Sequence, residues 1–138
     1  MSTPLKLEPD DSGVYATPAD SADLRKRAMA GEVACKEVDL AAVRSKEELM
    51  RAFSKALDFP HHFGENWDAL EDSLGDSDCL PLAGYVIRLR EATPAQRALK
   101  GDWDTLLDIL RETSAYWKGR GKPFVVLVDG GAGLPAWR

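Results

Sequence analysis

Two short runs constrain this chain most. "GYVIRL" (84–89) and "PFVVLVD" (123–129) are apolar runs with little polar alternation. A strand with one wet face alternates apolar and polar residues, so these runs fit strands of a sheet covered on both faces. Coverage of that kind comes from helices lying between strands, and the remaining segments follow that order. "EVACKEVDL" (32–40) reads as a strand with Ala34, Val38 and Leu40 on one face. "SKEELMRAFSKALDF" opens with Ser45 and Glu48 at capping-box spacing and repeats Leu49, Phe53, Ala56 and Leu57 at helical intervals, with Pro60 as its stop. "NWDALEDSLG" (66–75) is a second helix, with Asn66 as N-cap and Gly75 as stop. "TPAQRALKG" (93–101) suits a short helix opened by Thr93 and Pro94, and "DWDTLLDILRETSAYWKGRG" is the longest, with Trp103, Leu106, Leu110, Thr113 and Trp117 on one core-facing side. Strands separated by helices predict an α/β fold with parallel pairing.

The ends read differently. Residues 1–12 are polar with two prolines and are expected to form a mobile tail. "GVY" could form a short edge strand, "TPADSADLRKRAMAGE" a helix capped by Thr17 and Pro18, and "GGAGLPAWR" (130–138) a flexible tail. The chain has 138 residues, which fits one domain of roughly 100–200 residues able to bury a core without disulfides or metals. No repeat or linker interrupts it.

Charge narrows the function. A net charge of −5 argues against nucleic acid or an anionic membrane as a direct partner, since both attract basic surfaces. No apolar run approaches a membrane span, and "MSTPLKLEPDDSGVY" lacks the basic and apolar regions of a signal peptide. The expectation is a cytoplasmic protein with Cys35 and Cys79 as reduced thiols.

The charge is also uneven. "HHFGENWDALEDSLGDSD" (61–78) holds six carboxylates, and between Lys55 and Arg88 there are seven acidic residues with no lysine or arginine. At about 100° per residue, Trp67, Leu70 and Leu74 share one side of the helix, while Asp68 and Asp72 stack on another beside Glu71, with Asp76 just beyond. Asp72 and Asp76 sit at the end of the helix whose dipole disfavours them. Two readings stand level on the residues alone: a solvated acidic face, or a surface shaped for a basic partner. A carboxylate pair could also hold Mg²⁺ or share acid–base work, but no Gly-rich phosphate loop or nearby lysine accompanies Asp68 and Asp72. His61 and His62 are adjacent and have no second ligand pair, so no metal or other cofactor is expected. No Gly-x-Ser-x-Gly, P-loop or Rossmann fingerprint is present.

"FPHHFGENWDALEDSL", after a strand and a capped helix, resembles the signature of the barstar family of intracellular ribonuclease inhibitors. The matching positions are Pro60, Phe63, Gly64, Glu65, Asn66, Trp67, Asp68, Ala69, Leu70 and Asp72, with Pro81 in step and Glu112 of "LRET" on the long helix. The resemblance runs from about Cys35 to Val128. It implies a three-stranded parallel sheet with packed helices over 32–129, preceded by an N-terminal extension over 1–31. It also implies that the chain is not an enzyme but plugs the active site of a basic, barnase-type ribonuclease. The free chain is expected to be a monomer. Asp72 would stand where the scissile phosphate binds, with Asp68 as companion and Glu112 as a further charged contact. His62 would take the place of a stacking aromatic, Gly64 would allow the close turn, and Phe63, Asn66, Glu71 and Asp76 would complete the surface. Three positions depart from the family's best-known members, which carry Tyr at 62 and Trp at 71 and 77, whereas this chain has His62, Glu71 and Ser77. Those departures keep a second reading open, an immunity or regulatory module for another toxin or basic protein. A third, of another class, is a metal-dependent carboxylate enzyme.

Overall fold

A computed structural model describes residues 5–18, 23–31, 33–59, 66–131 and 133–137. Among the described residues four strands form one parallel sheet: β1 (Gly13–Ala16), β2 (Ala34–Asp39), β3 (Tyr85–Arg90) and β4 (Phe124–Val128), in the spatial order β1-β4-β3-β2. The helices are α1 (Leu24–Ala30), α2 (Lys46–Leu57), α3 (Trp67–Leu74), α4 (Ala92–Leu99) and α5 (Gly101–Lys118), with a short 3-10 turn at Pro9–Asp11.

The two apolar runs are the central strands. Alternate residues point to opposite faces, and both faces are covered. Tyr85, Ile87, Leu89, Phe124, Val126 and Val128 join the larger core with residues of α2, α3, α4 and α5. Val86, Val125 and Leu127 join a smaller one with Leu5, Leu24, Ala28 and Trp137. β4 is buried at every position. Each fully buried Val, Leu, Ile or Phe contributes roughly 1.5–3 kcal/mol relative to exposure, so these two strands anchor everything else.

The expected α/β fold with parallel pairing is present, but the sheet has four strands rather than three. The fourth is β1, paired in register with β4 from Gly13↔Val125 to Ala16↔Val128. Without it, the apolar β4 would present an open edge, which proteins avoid. Ser12 Oγ accepts from Phe124 N at 3.0 Å, and Ala16 N donates to Pro135 O at 2.9 Å. The described parts of the two expected mobile tails are therefore packed: Leu5 is fully buried and Trp137 is 6% exposed. Leu5 N donates to Arg27 O at 2.8 Å, which ties the tail to α1.

Local signals act as their chemistry predicts at α2, where the Ser45 side chain accepts from Glu48 N at 3.2 Å and the Glu48 carboxylate accepts from Arg44 N at 3.1 Å. That helix closes on Asp58 in the left-handed region, φ 55°. Pro60, its expected stop, lies outside the described residues. At α4 the start differs from the expected Thr93 cap. The helix begins at Ala92, after Glu91 turns at φ 51° and donates its N–H to Asp129 Oδ2 at 3.2 Å.

Candidate functional site: an acidic cleft between two helices

The acidic helix α3 is held at both ends. Asn66 Oδ1 accepts from Ala69 N at 2.8 Å, which satisfies one of the free N–H groups of the first turn. Leu70 and Leu74 are fully buried and Trp67 is half-buried against the larger core. This fixes the helix with Asp68, Glu71 and Asp72 exposed.

α5 lies beside it, with Trp103, Leu106, Leu110 and Trp117 buried in the same core. The Trp117 indole N–H donates to Leu74 O at 2.8 Å and joins α5 to the last turn of α3. Between the two helices lies a cleft of about 320 Å³ lined by Glu71, Asp72, Gly75, Glu112, Thr113 and Tyr116. Carboxylates far apart in sequence meet there, and no lysine or arginine lines it. A desolvated cation would find Coulomb attraction from more than one side in such a cleft.

Of the sequence-predicted residues, Glu71, Asp72 and Glu112 come together in the cleft. Asp76 follows on an exposed turn, where its Oδ1 accepts from Asp78 N at 2.8 Å. Asp68 is exposed on the first turn of α3 but does not line the cleft. Asn66 Oδ1 serves as the helix cap. His62, Phe63 and Gly64 lie outside the described residues.

Three lining residues are not among the site residues expected from the sequence: Gly75, which ends α3, Thr113 and Tyr116. Thr113 lies on the core-facing side of α5, as its spacing predicts, and its hydroxyl donates to Ile109 O at 2.8 Å. Tyr116 follows Glu112 by one helical turn, a spacing that could have flagged it. Its ring stands edge-on to Trp117, centroids 4.9 Å apart, and carries the Arg120 guanidinium at 3.8 Å.

Other features are less one-sided. A larger cleft of about 490 Å³ runs between α2 and β2, but it mixes Glu37, Asp39 and Glu48 with Arg51 and Lys55. Cys79 ends the acidic turn. Burial, and then the Asp76 and Asp78 carboxylates, push its thiol up and keep it protonated and unreactive. Burial, and then Glu37, do the same to Cys35. Among the described residues no three His, Cys, Asp or Glu side chains are grouped to hold a metal ion, and no helix is long and apolar enough to cross a membrane.

No curated protein matches the chain. A family model described as "Barstar (barnase inhibitor)" matches residues 33–129, which takes in β2, β3, β4, the acidic helix and the long helix beside it. The chain belongs to the barstar family, the family of barnase inhibitors.

Proposed function

We propose that this protein is an intracellular inhibitor of a basic, barnase-type ribonuclease, not an enzyme, and that it binds its target through the acidic cleft and its rim. One observation carries the reading: α3 and α5, both inside the family match, bring Glu71, Asp72 and Glu112 into one cleft with no basic residue in its lining. A ribonuclease must hold a phosphate with basic groups, and a carboxylate cluster is the complementary anion. Long-range attraction between two such surfaces speeds encounter, and docking desolvates the pairs. In this reading Asp72 takes the phosphate position, with Asp68, Asp76 and Glu112 around it. His62, Phe63, Gly64 and Asn66 form the approach to the helix, and Glu71 adds a charge from the cleft wall. The unit over 32–129 carries the whole surface, and the free protein is a monomer.

The test is co-purification from the native host, followed by inhibition assays on basic ribonucleases. Stoichiometric loss of ribonuclease activity supports the proposal. If the chain neither binds nor inhibits a basic ribonuclease, the proposal is wrong.

A second reading keeps the surface and changes the target to another basic toxin. It is favoured by Glu71, which lines the cleft, and by exposed Ser77, since the family's best-known members carry Trp at both places. Aromatics often anchor interfaces, so a target lacking pockets for them would differ in shape. Capture of a basic protein without ribonuclease activity would select this reading over the first.

A further inference from the structure

The turn after α3 carries Asp76 and Asp78, and each of its ends is gripped from outside. At one end Leu74 O has no partner within the helix, as is usual for the last carbonyls of a helix. It accepts from the Trp117 indole N–H at 2.8 Å. At the other end Leu80 O accepts from the Lys122 ammonium at 2.6 Å. The two donors touch, because Lys122 Nζ lies 4.1 Å from the centre of the Trp117 ring, and a second ring, Tyr85, is 5.7 Å away. Trp117 is 5% exposed, so its ring is fixed by the core.

Within the turn the backbone is closed on itself. Cys79 N and Leu80 N both donate to Asp76 O at 3.0 Å, and Asp76 Oδ1 accepts from Asp78 N. Carboxylates gather here at the negative end of the α3 dipole, where they repel one another and the helix terminus. A turn so charged favours opening. Lys122 supplies a cation at that place. Among the described residues it meets a carbonyl oxygen and ring faces rather than a carboxylate, which leaves Asp76 and Asp78 without its charge as a direct ion-pair partner.

We propose that Trp117 and Lys122 act together as a clamp that holds the acidic turn 75–79 in the shape the partner meets. Lys122 is thereby a positioning residue for the interface. The inference rests on the ribonuclease reading for its partner, but the clamp itself is a property of the free protein. A loop ordered before docking loses less freedom on binding, and affinity rises accordingly.

The test combines amide hydrogen exchange of the full chain with binding to a barnase-type ribonuclease. It uses the wild type, Lys122→Met, Asp76→Asn with Asp78→Asn, and all three changes together. Lys122→Met is expected to speed exchange at Cys79 and Leu80 about tenfold relative to the strands, and to weaken binding about tenfold, the scale of one lost ordering contact. The binding loss should vanish in the Asp76→Asn, Asp78→Asn background, because those carboxylates are what the clamp places for the partner. Lys122→Arg, which keeps a cation over the Trp117 ring, should recover most of the affinity. Unchanged exchange at Cys79 and Leu80 in Lys122→Met overturns the clamp. A binding loss that persists undiminished in the double-Asn background overturns the positioning role. A wild-type chain that fails to bind the ribonuclease removes that partner and the positioning role toward it, while the exchange arm still judges the clamp.

Discussion

Arg88 holds Asp129 in a two-pronged ion pair, Nε to Oδ1 at 2.9 Å and Nη2 to Oδ2 at 3.1 Å, where β3 and β4 end. The same carboxylate accepts the Glu91 N–H, so it also fixes the turn into α4. Burial alone would raise the Asp129 carboxyl, but Arg88, through its hydrogen bonds and its charge, together with Thr17 and the Glu91 N–H, outweighs it and holds the group below the usual carboxylate range. A carboxyl lowered in the folded state stabilises the protein fully above its unfolded value, about 3.9, and loses that contribution as pH falls through the folded value. Asp129→Asn is expected to cost about 1.5–3 kcal/mol at neutral pH, the range for hydrogen bonds to charged groups. Urea unfolding of both proteins from neutral to strongly acidic pH should show the gap closing below about pH 4. A gap that stays constant would mean that the pair contributes nothing through its charge.

The N-terminal segment should matter to stability although it lies before the region matched to the family. Leu5 is fully buried among Val86, Val125, Leu127 and Trp137. Gly31 faces it so closely that an added Cβ would meet the Leu5 carbonyl oxygen at 1.8 Å. Leu5→Ala should destabilise by about 2–3 kcal/mol, the lower part of the range for buried leucines because a terminal segment can relax. Gly31→Ala should also destabilise, by displacing the segment. Thermal unfolding reads both, and a Leu5→Ala protein within about 0.5 kcal/mol of wild type would show that the segment does not stabilise the fold.

The uneven legibility of the chain has physical causes. β3 and β4 were readable because burial on both faces removes alternation, and α2 and α3 because Ser45 and Asn66 announce their own starts. β1 was legible only as a faint edge strand. Four residues carry little pattern, and its partner β4 lies more than a hundred residues away. Leu5 and Trp137 were hidden for a related reason: each is an isolated apolar residue in a polar stretch, buried only because the sheet edge passes by. In the cleft, helical periodicity separated Asp72 from Leu70 and Leu74, but nothing local links Asp72 to Glu112. That pairing depends on how α5 lies against α3, and in the sequence it came only with the family resemblance.

Lys100 offers a gain rather than a loss. It joins α4 to α5 at φ 50°, ψ −114°, a conformation suited to glycine. Its side chain is exposed, so little packing is at stake. Backbone strain of this kind costs about 1–3 kcal/mol, and the extra freedom of glycine in the unfolded chain offsets part of the relief. Lys100→Gly should therefore stabilise by about 1 kcal/mol in urea unfolding. A destabilised variant would show that the strain is not there.

Asp72 is the sharpest test of the proposed interface. It is exposed, yet it lines the cleft beside Glu71 and Glu112, so a docked partner would enclose it. Asp72→Ala should weaken ribonuclease binding by roughly 2–5 kcal/mol, the loss found when one member of an enclosed charge pair is removed, a range that rests partly on this family. Most of that loss should appear as faster dissociation, because contacts inside a docked interface act after encounter. Glu47→Ala makes the same change of charge on α2, away from the cleft. It should alter mainly the association rate, by a small factor that fades as salt screens the long-range attraction. Stopped-flow association and dissociation rates at two salt concentrations separate the cases. Equal dissociation rates for Asp72→Ala and wild type would place the partner somewhere other than this cleft.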